Sequence, residues 1–149
     1  MEESKQWLGM TAAFSLIVIM SSHYIREVQR IKEKHYHNQA QIDVAIRTKR
    51  IIDKQFTEKL SLEIIAEGLG QSQFQLIRAF RRYYGMTPRK YLVDRRMIEA
   101  KKLLRAGSSV TQACFGVGFE SVASFSLLFK NKTGLSPSQW TKAQLSISK

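Results

Sequence analysis

The chain has 149 residues, 44% of them apolar, with 24 Lys and Arg against 12 Asp and Glu and a formal net charge of +12. That is room for one domain with a sizeable core and an appendage, and the charge suits a polyanionic partner, nucleic acid or anionic lipid, or a basic surface kept for solubility alone. A single cysteine, Cys114, excludes an internal disulfide and makes a reducing cytoplasm the simplest home.

The excess charge is unevenly spread. Residues 39–149 carry 19 basic and 8 acidic side chains, a net of +11, whereas the first 38 carry only +1. Residues 1–38 are therefore read as a hydrophobic segment with a charged connector, and 39–149 as the polyanion-binding domain.

The run Trp7 to Met20, WLGMTAAFSLIVIM, is uncharged and apolar on nearly all sides. It is shorter than the roughly 20 residues that span a bilayer. Extending it over 7–25 takes in Ser21, Ser22 and His23, and the basic flank beyond would keep the rest on the cytoplasmic side. Three readings stay open: a helix buried on the domain or between two copies of the chain (a homodimer), a membrane anchor, and a non-native leader. Two glutamates before the run speak against a cleaved signal. In the connector, Ile25, Val28 and Ile31 recur at spacing 3, too briefly to claim a coiled coil. His35 and His37 point apart on a helix, so no metal site is expected.

From Gln41 the helical period returns, with Ile42, Ala45, Ile46, Lys49 and Ile52 or Phe56 expected on one side. Next comes LSLEIIAEGLGQSQFQLIRAF, residues 60–80. Leu62, Ile65, Ala66 and Leu69 form an apolar helical face, and Gly68 and Gly70 mark a turn. Ser72 is placed to cap a second helix with Leu76, Ala79, Phe80 and Tyr83 buried. Its opposite stripe is Phe74, Ile77, Arg78 and Arg81. Such a stripe suits the major groove, where Arg forks onto guanine and apolar atoms meet the thymine methyl. An ordinary helical hairpin with solvated arginines fits this stretch alone equally well.

A second copy at an offset of 49 shifts the balance: in SVTQACFGVGFESVASFSLLF, residues 109–129, Ser121 matches Ser72, Phe125 matches Leu76 and Phe129 matches Phe80. Between the copies, Pro88 opens a helix that keeps Leu92, Met97, Ala100, Leu103 and Leu104 near one side and stops at Gly107. Its length, about 28 Å at 1.5 Å per residue, approaches one turn of duplex.

Residues from about Ile42 to Trp140 resemble the DNA-binding domain of the AraC/XylS family of bacterial transcription regulators. The resemblance rests on LSLEIIAEGLGQS, FRRYYGMTPRKYL, DRRMIEAKKLL and above all GVGFESVASFSLLFKNKTGLSPSQW. It implies an all-α fold: a seven-helix domain of two helix-turn-helix subdomains joined by a linker helix, here preceded by the N-terminal hydrophobic helix. It also implies double-stranded DNA as partner, with RNA polymerase as a candidate second; activation is the expected role, with repression staying open beside it.

The resemblance places base contacts on Phe74, Ile77 and Arg78, with Gln75 and Arg81 beside them, and in the second copy on Ala123, Ser126 and Leu127, with Ser124 adjacent. Leu127 stands where Arg78 stands in the first, and a face of Ala, Ser and Leu can hydrogen-bond few base edges. The first helix is therefore expected to select sequence, while the second holds the backbone through Lys130 and Lys132. Ser72, Ser121, Arg47, Lys49, Arg89 and Lys90 complete the expected phosphate contacts, each of which would position without selecting. Gly116 with Gly118 is expected to weaken the helix before the second turn.

No grouping of nucleophile, base and acid, no metal-ligand spacing and no nucleotide loop is present in the sequence, so no enzyme activity and no cofactor are expected. A classical effector-binding domain of the family needs more chain than the first 38 residues. A membrane-tethered regulator and a helix-turn-helix module used for protein contacts remain the alternatives.

Overall fold

The computed structural model describes the backbone from Glu3 to Ile147 and the side chains of residues 23–36 and 38–144. Every regular element among them is a helix: α1 (Glu3–Gln55), α2 (Leu62–Gly68), α3 (Gln73–Tyr84), α4 (Pro88–Arg105), α5 (Val110–Gly116), α6 (Val122–Thr133) and α7 (Pro137–Ile147). By its contacts the chain divides into residues 1–41 and 42–149.

In the first part, Tyr24, Ile25, Ile31 and Tyr36 are exposed and Val28 is half-buried. The side chains of the Trp7–Met20 run and of His37 lie outside the described residues, and with them the anchoring and dimer expectations. Among the described residues no helix is long and apolar enough to cross a membrane.

In the second part the all-α reading, with two helix-turn-helix subdomains on a linker helix, is borne out. Helices α2 to α6 each start where an oxygen side chain meets their free N–H groups. Ser61 accepts from Ile64 N, Ser72 from Gln75 N, Thr87 from Lys90 N, Ser109 from Gln112 N and Ser121 from Ser124 N. Each such cap is worth about 1 kcal/mol. Gly85 and Gly134, 49 residues apart, end α3 and α6 at φ +69° and +82°, where a side chain would be strained.

The repeat is less regular than the offset of 49 suggests. The caps of α3 and α6, Ser72 and Ser121, are 49 apart, but those of α2 and α5, Ser61 and Ser109, are 48 apart. Four residues, 69–72, separate α2 from α3, and five, 117–121, separate α5 from α6. The extra residue falls between Gly118 and Ser121. Both turns close the same way, Gln71 N donating to Ala66 O and Phe119 N to Cys114 O.

Two cores flank α4. Ile52, Ile65, Ala66 and Leu76 form the first, joined by Tyr91 and Leu92 from α4. The second holds Met97, Ala100 and Leu104 of α4 with Ala113, Cys114, Val117, Phe125, Phe129 and Trp140. Burial pushes the Cys114 thiol up from its ordinary value, which suits a small hydrophobe and not a reactive thiolate.

Two expected faces are corrected. Tyr83 is exposed and Tyr84 is half-buried in its place, its ring 4.7 Å from that of Phe80. Near the end of α1 the buried stripe is Ala45, Thr48 and Ile52, with Ile46 turned outward. In both cases neighbouring positions 100° apart on the helix compete for one narrow contact.

Asp53 ties this end of α1 to α4. Lys49 Nζ donates to Asp53 Oδ2 at 2.6 Å and the Tyr91 hydroxyl to Oδ1 at 2.8 Å. Arg95 Nε lies 3.1 Å from the same carboxylate as a charge contact without hydrogen-bond alignment. Burial raises the Asp53 carboxyl, but the Lys49 and Tyr91 hydrogen bonds and the Lys49 and Arg95 charges more than offset it, leaving it below its ordinary value. A carboxyl depressed in the folded state stabilises above its unfolded pKa, about 3.9, and loses that contribution as pH falls through the folded value. Denaturant midpoints of wild type should therefore drop more steeply below about pH 4 than those of Asp53→Asn. Parallel pH profiles would remove Asp53 from this role.

Candidate nucleic-acid interface

The cap at Ser72 fixes where α3 begins, and burial of Leu76, Ala79 and Phe80 fixes which side faces out. That side carries Phe74, 71% exposed, with Ile77 half-buried and Arg78 and Arg81 exposed. Arg78 and Arg81 make no ion pair among the described residues, so both guanidiniums keep their full set of donors. Gln75 is drawn into the cap, where its Oε1 accepts from Ser72 N and Ser72 Oγ, each at 3.0 Å. Ser72 Oγ is thereby committed to α3 itself.

In α6 the buried side is Phe125 and Phe129, and Ala123, Ser124, Leu127 and Lys130 are exposed with Ser126 half-buried. Leu127 is 63% exposed with no polar group to offer. Ser121 Oγ accepts from Ser124 N at 3.3 Å, again serving the cap. The two faces thus differ in chemistry while agreeing in placement: two free guanidiniums on one, mainly short or apolar side chains on the other.

The expected phosphate contacts divide as well. Arg89 and Lys90, at the start of α4, and Lys130 are exposed and make no ion pair among the described residues. Arg47 reaches Asp43 at 3.6 Å with both side chains half in water, a pairing worth little. Lys49 is held by Asp53, and Lys132 by Asp94 across to α4.

Sequence reasoning missed Arg96. From α4, its Nε donates to Phe56 O at 2.6 Å and Nη2 to Glu58 O at 2.8 Å, while the guanidinium lies over the Phe119 ring, 5.5 Å from its centre. Burial pulls this guanidinium below its ordinary value, with the Glu120 charge opposing. A Cβ on Gly118, where φ is +90°, would fall 2.6 Å from Thr57 O. The turn before α6 therefore sits directly against the loop before α2. Gly118 is needed for that close approach as well as for its φ, and a Cβ added at Gly116 would meet Leu103 Cδ1 at 3.4 Å, ordinary van der Waals contact.

Residues 65–143 match the family model described as a helix-turn-helix domain. Over 87 residues the chain is 37% identical to the HTH-type transcriptional activator RhaS of Escherichia fergusonii, covering 58% of this chain and 31% of that one. The chain thus spans less than half the length of the curated relatives it matches. A transcriptional regulator of Chromobacterium violaceum with an AraC-type DNA-binding domain is 30% identical, with a TM-score of 0.59 over 73% of this chain and 95% of that one. The DNA-binding domain of AdpA, solved in complex with a target DNA, is 25% identical, with a TM-score of 0.61 over 67% of this chain and 90% of that one. Two capped helix-turn-helix subdomains on one linker helix, together with these matches, place the chain in the AraC/XylS family of helix-turn-helix transcription regulators.

Proposed function

We propose that the chain is a sequence-specific DNA-binding transcription regulator in which residues 39–149 engage duplex DNA, α3 and α6 entering successive major-groove segments. The observation that carries this reading is the α3 face, where the unpaired Arg78 and Arg81 stand beside an exposed Phe74 and a half-buried Ile77. Arg78 reads base edges by a bidentate donor pair, with Arg81 and the free amide of Gln75 beside it, and Phe74 and Ile77 meet thymine methyls. Ala123, Ser124, Ser126 and Leu127 contribute shape and apolar contact, so α3 selects and α6 mainly holds. Arg47, Arg89, Lys90 and Lys130 take phosphates, and Lys49 and Lys132 add to the local field while paired to carboxylates. RhaS is a transcriptional activator, which supports activation here, with RNA polymerase as the second partner, and the cytoplasm is the proposed location.

The salt dependence of binding tests this directly. With about four phosphates neutralised, log affinity should fall with log salt at a slope of about −3.6, since each neutralised phosphate contributes about 0.9. The full chain should also enrich one site from a random duplex pool. A shallow slope without enrichment would move the function to protein contacts made by Phe74, Ile77 and Leu127.

A further inference from the structure

The two helix-turn-helix subdomains are joined by α4, whose Tyr91 and Leu92 pack into the first core and whose Val93 and Met97 pack into the second. A single helix fixes their order but leaves each free to pivot about its own contact. A second attachment is needed to hold both reading helices at one separation and twist. Packing supplies little of it: a groove of about 740 Å³ opens between them, bordered by Leu60, Leu62, Arg89 and Val93. The Lys59–Glu120 pair spans the same gap at 3.4 Å, but both side chains are largely in water, where such a pair holds weakly.

We propose that Arg96 and the Gly118–Phe119 turn form a staple that sets the separation of α3 from α6, making Arg96 a positioning residue that selects the spacing between the two halves of the DNA site. This rests on the DNA-reading role proposed above. Arg96 grips the loop before α2 through two carbonyls, those of Phe56 and Glu58, and lies on the Phe119 ring from the turn before α6. Three parts of the chain meet at one guanidinium. Gly118 lets the two loops close on each other, because any side chain there would strike Thr57 O. Phe119 lies in the stretch where the second turn is one residue longer than the first, and it also packs on Phe125 with ring centres 5.4 Å apart. The staple is thus anchored to the core beneath α6. Lysine cannot replace this arginine, since an ammonium lacks the planar fork and the face that stacks on an aromatic ring.

The consequence lies in the DNA. One added base pair moves the second half-site by about 3.4 Å along the axis and turns it by about 35°, given 10–10.5 base pairs per turn. A stapled pair of helices fits one interval, and a pivoting pair fits its neighbours too.

The test uses the full chain as wild type, Arg96→Met, Arg96→Lys and Gly118→Ala, all checked for cooperative melting. Spin labels on Arg82→Cys in α3 and Asn131→Cys in α6, with the buried Cys114 left in place, report the distance between the reading helices without DNA. In parallel, binding is measured to the selected site with its halves at the native interval and one base pair closer or farther. Wild type should give one narrow distance, and Arg96→Met and Gly118→Ala a broadened or displaced one. The preference for the native interval should fall about tenfold or more, the order of a single mismatched pair. Arg96→Lys should not restore either property. Unchanged distances and an unchanged preference in both Arg96→Met and Gly118→Ala overturn the staple, as does full rescue by lysine. Broadened distances in variants of a protein that selects no DNA site would uphold the staple and refute the DNA-reading role.

Discussion

Arg78→Ala is expected to bind duplex DNA with its overall salt dependence nearly intact and its preference at one G·C pair lost. A bidentate guanidinium on guanine O6 and N7 contributes about 1–3 kcal/mol of discrimination, a factor of roughly 5 to 150 between the right base pair and a wrong one. The side chain is exposed and makes no ion pair among the described residues, so its removal leaves no stranded charge and the fold should be indifferent to it. Leu127→Ala, at the matching place on α6, is expected to change sequence preference far less. Competition binding against single-base variants of the selected site separates the two. An unchanged preference in Arg78→Ala would take base selection away from α3.

Phe125→Ala should have the largest effect on stability, about 3–5 kcal/mol, the range for emptying a large aromatic site in a core. Phe125 is fully buried, and its ring centre lies 5.4 Å from that of Phe119 and 5.7 Å from that of Phe129, which in turn contacts Trp140. The first subdomain has Leu76 at this place in a smaller core, so Leu76→Ala should cost less, about 2–4 kcal/mol. Because the two cores are separate clusters on either side of α4, Phe125→Ala should also loosen the second subdomain before the first. Hydrogen exchange would then show α6 and α7 amides losing protection ahead of α2 and α3. Uniform loss across both subdomains would instead mean that α4 couples them into one cooperative unit.

Much of this architecture was legible in the sequence, because it is written in local signals. Ser61, Ser72, Ser109 and Ser121 cap their helices through groups three residues away, and Gly85 and Gly134 close theirs within one turn. Such interactions leave marks at short spacing. The offset of 49 read from α3 and α6 holds there and slips to 48 at α2 and α5, since one inserted residue alters length without altering either pattern. Ile46 and Tyr83 were misplaced because an apolar residue at the edge of a helical stripe can face either way. Arg96 was beyond reach for a different reason: its partners are main-chain carbonyls 38 and 40 residues back, and a carbonyl has no side-chain signature. On the interface, Phe74, Arg78 and Arg81 of the stripe read from the sequence are exposed and Ile77 is half-buried. The sequence did not reveal that Gln75 closes a capping box or that Lys49 and Lys132 are held by carboxylates.

The unequal turns also bear on how a duplicated protein can be re-engineered. A chain that carried 62–84 twice would have Gln71 alone between the turn glycine and the capping serine in its second position, with no counterpart to the Phe119–Glu120 pair. It would keep both caps and both helix-ending glycines while losing the aromatic face beneath Arg96. Shuffling the two modules is therefore not neutral: only the second carries the turn that packs against Arg96 and the loop before α2.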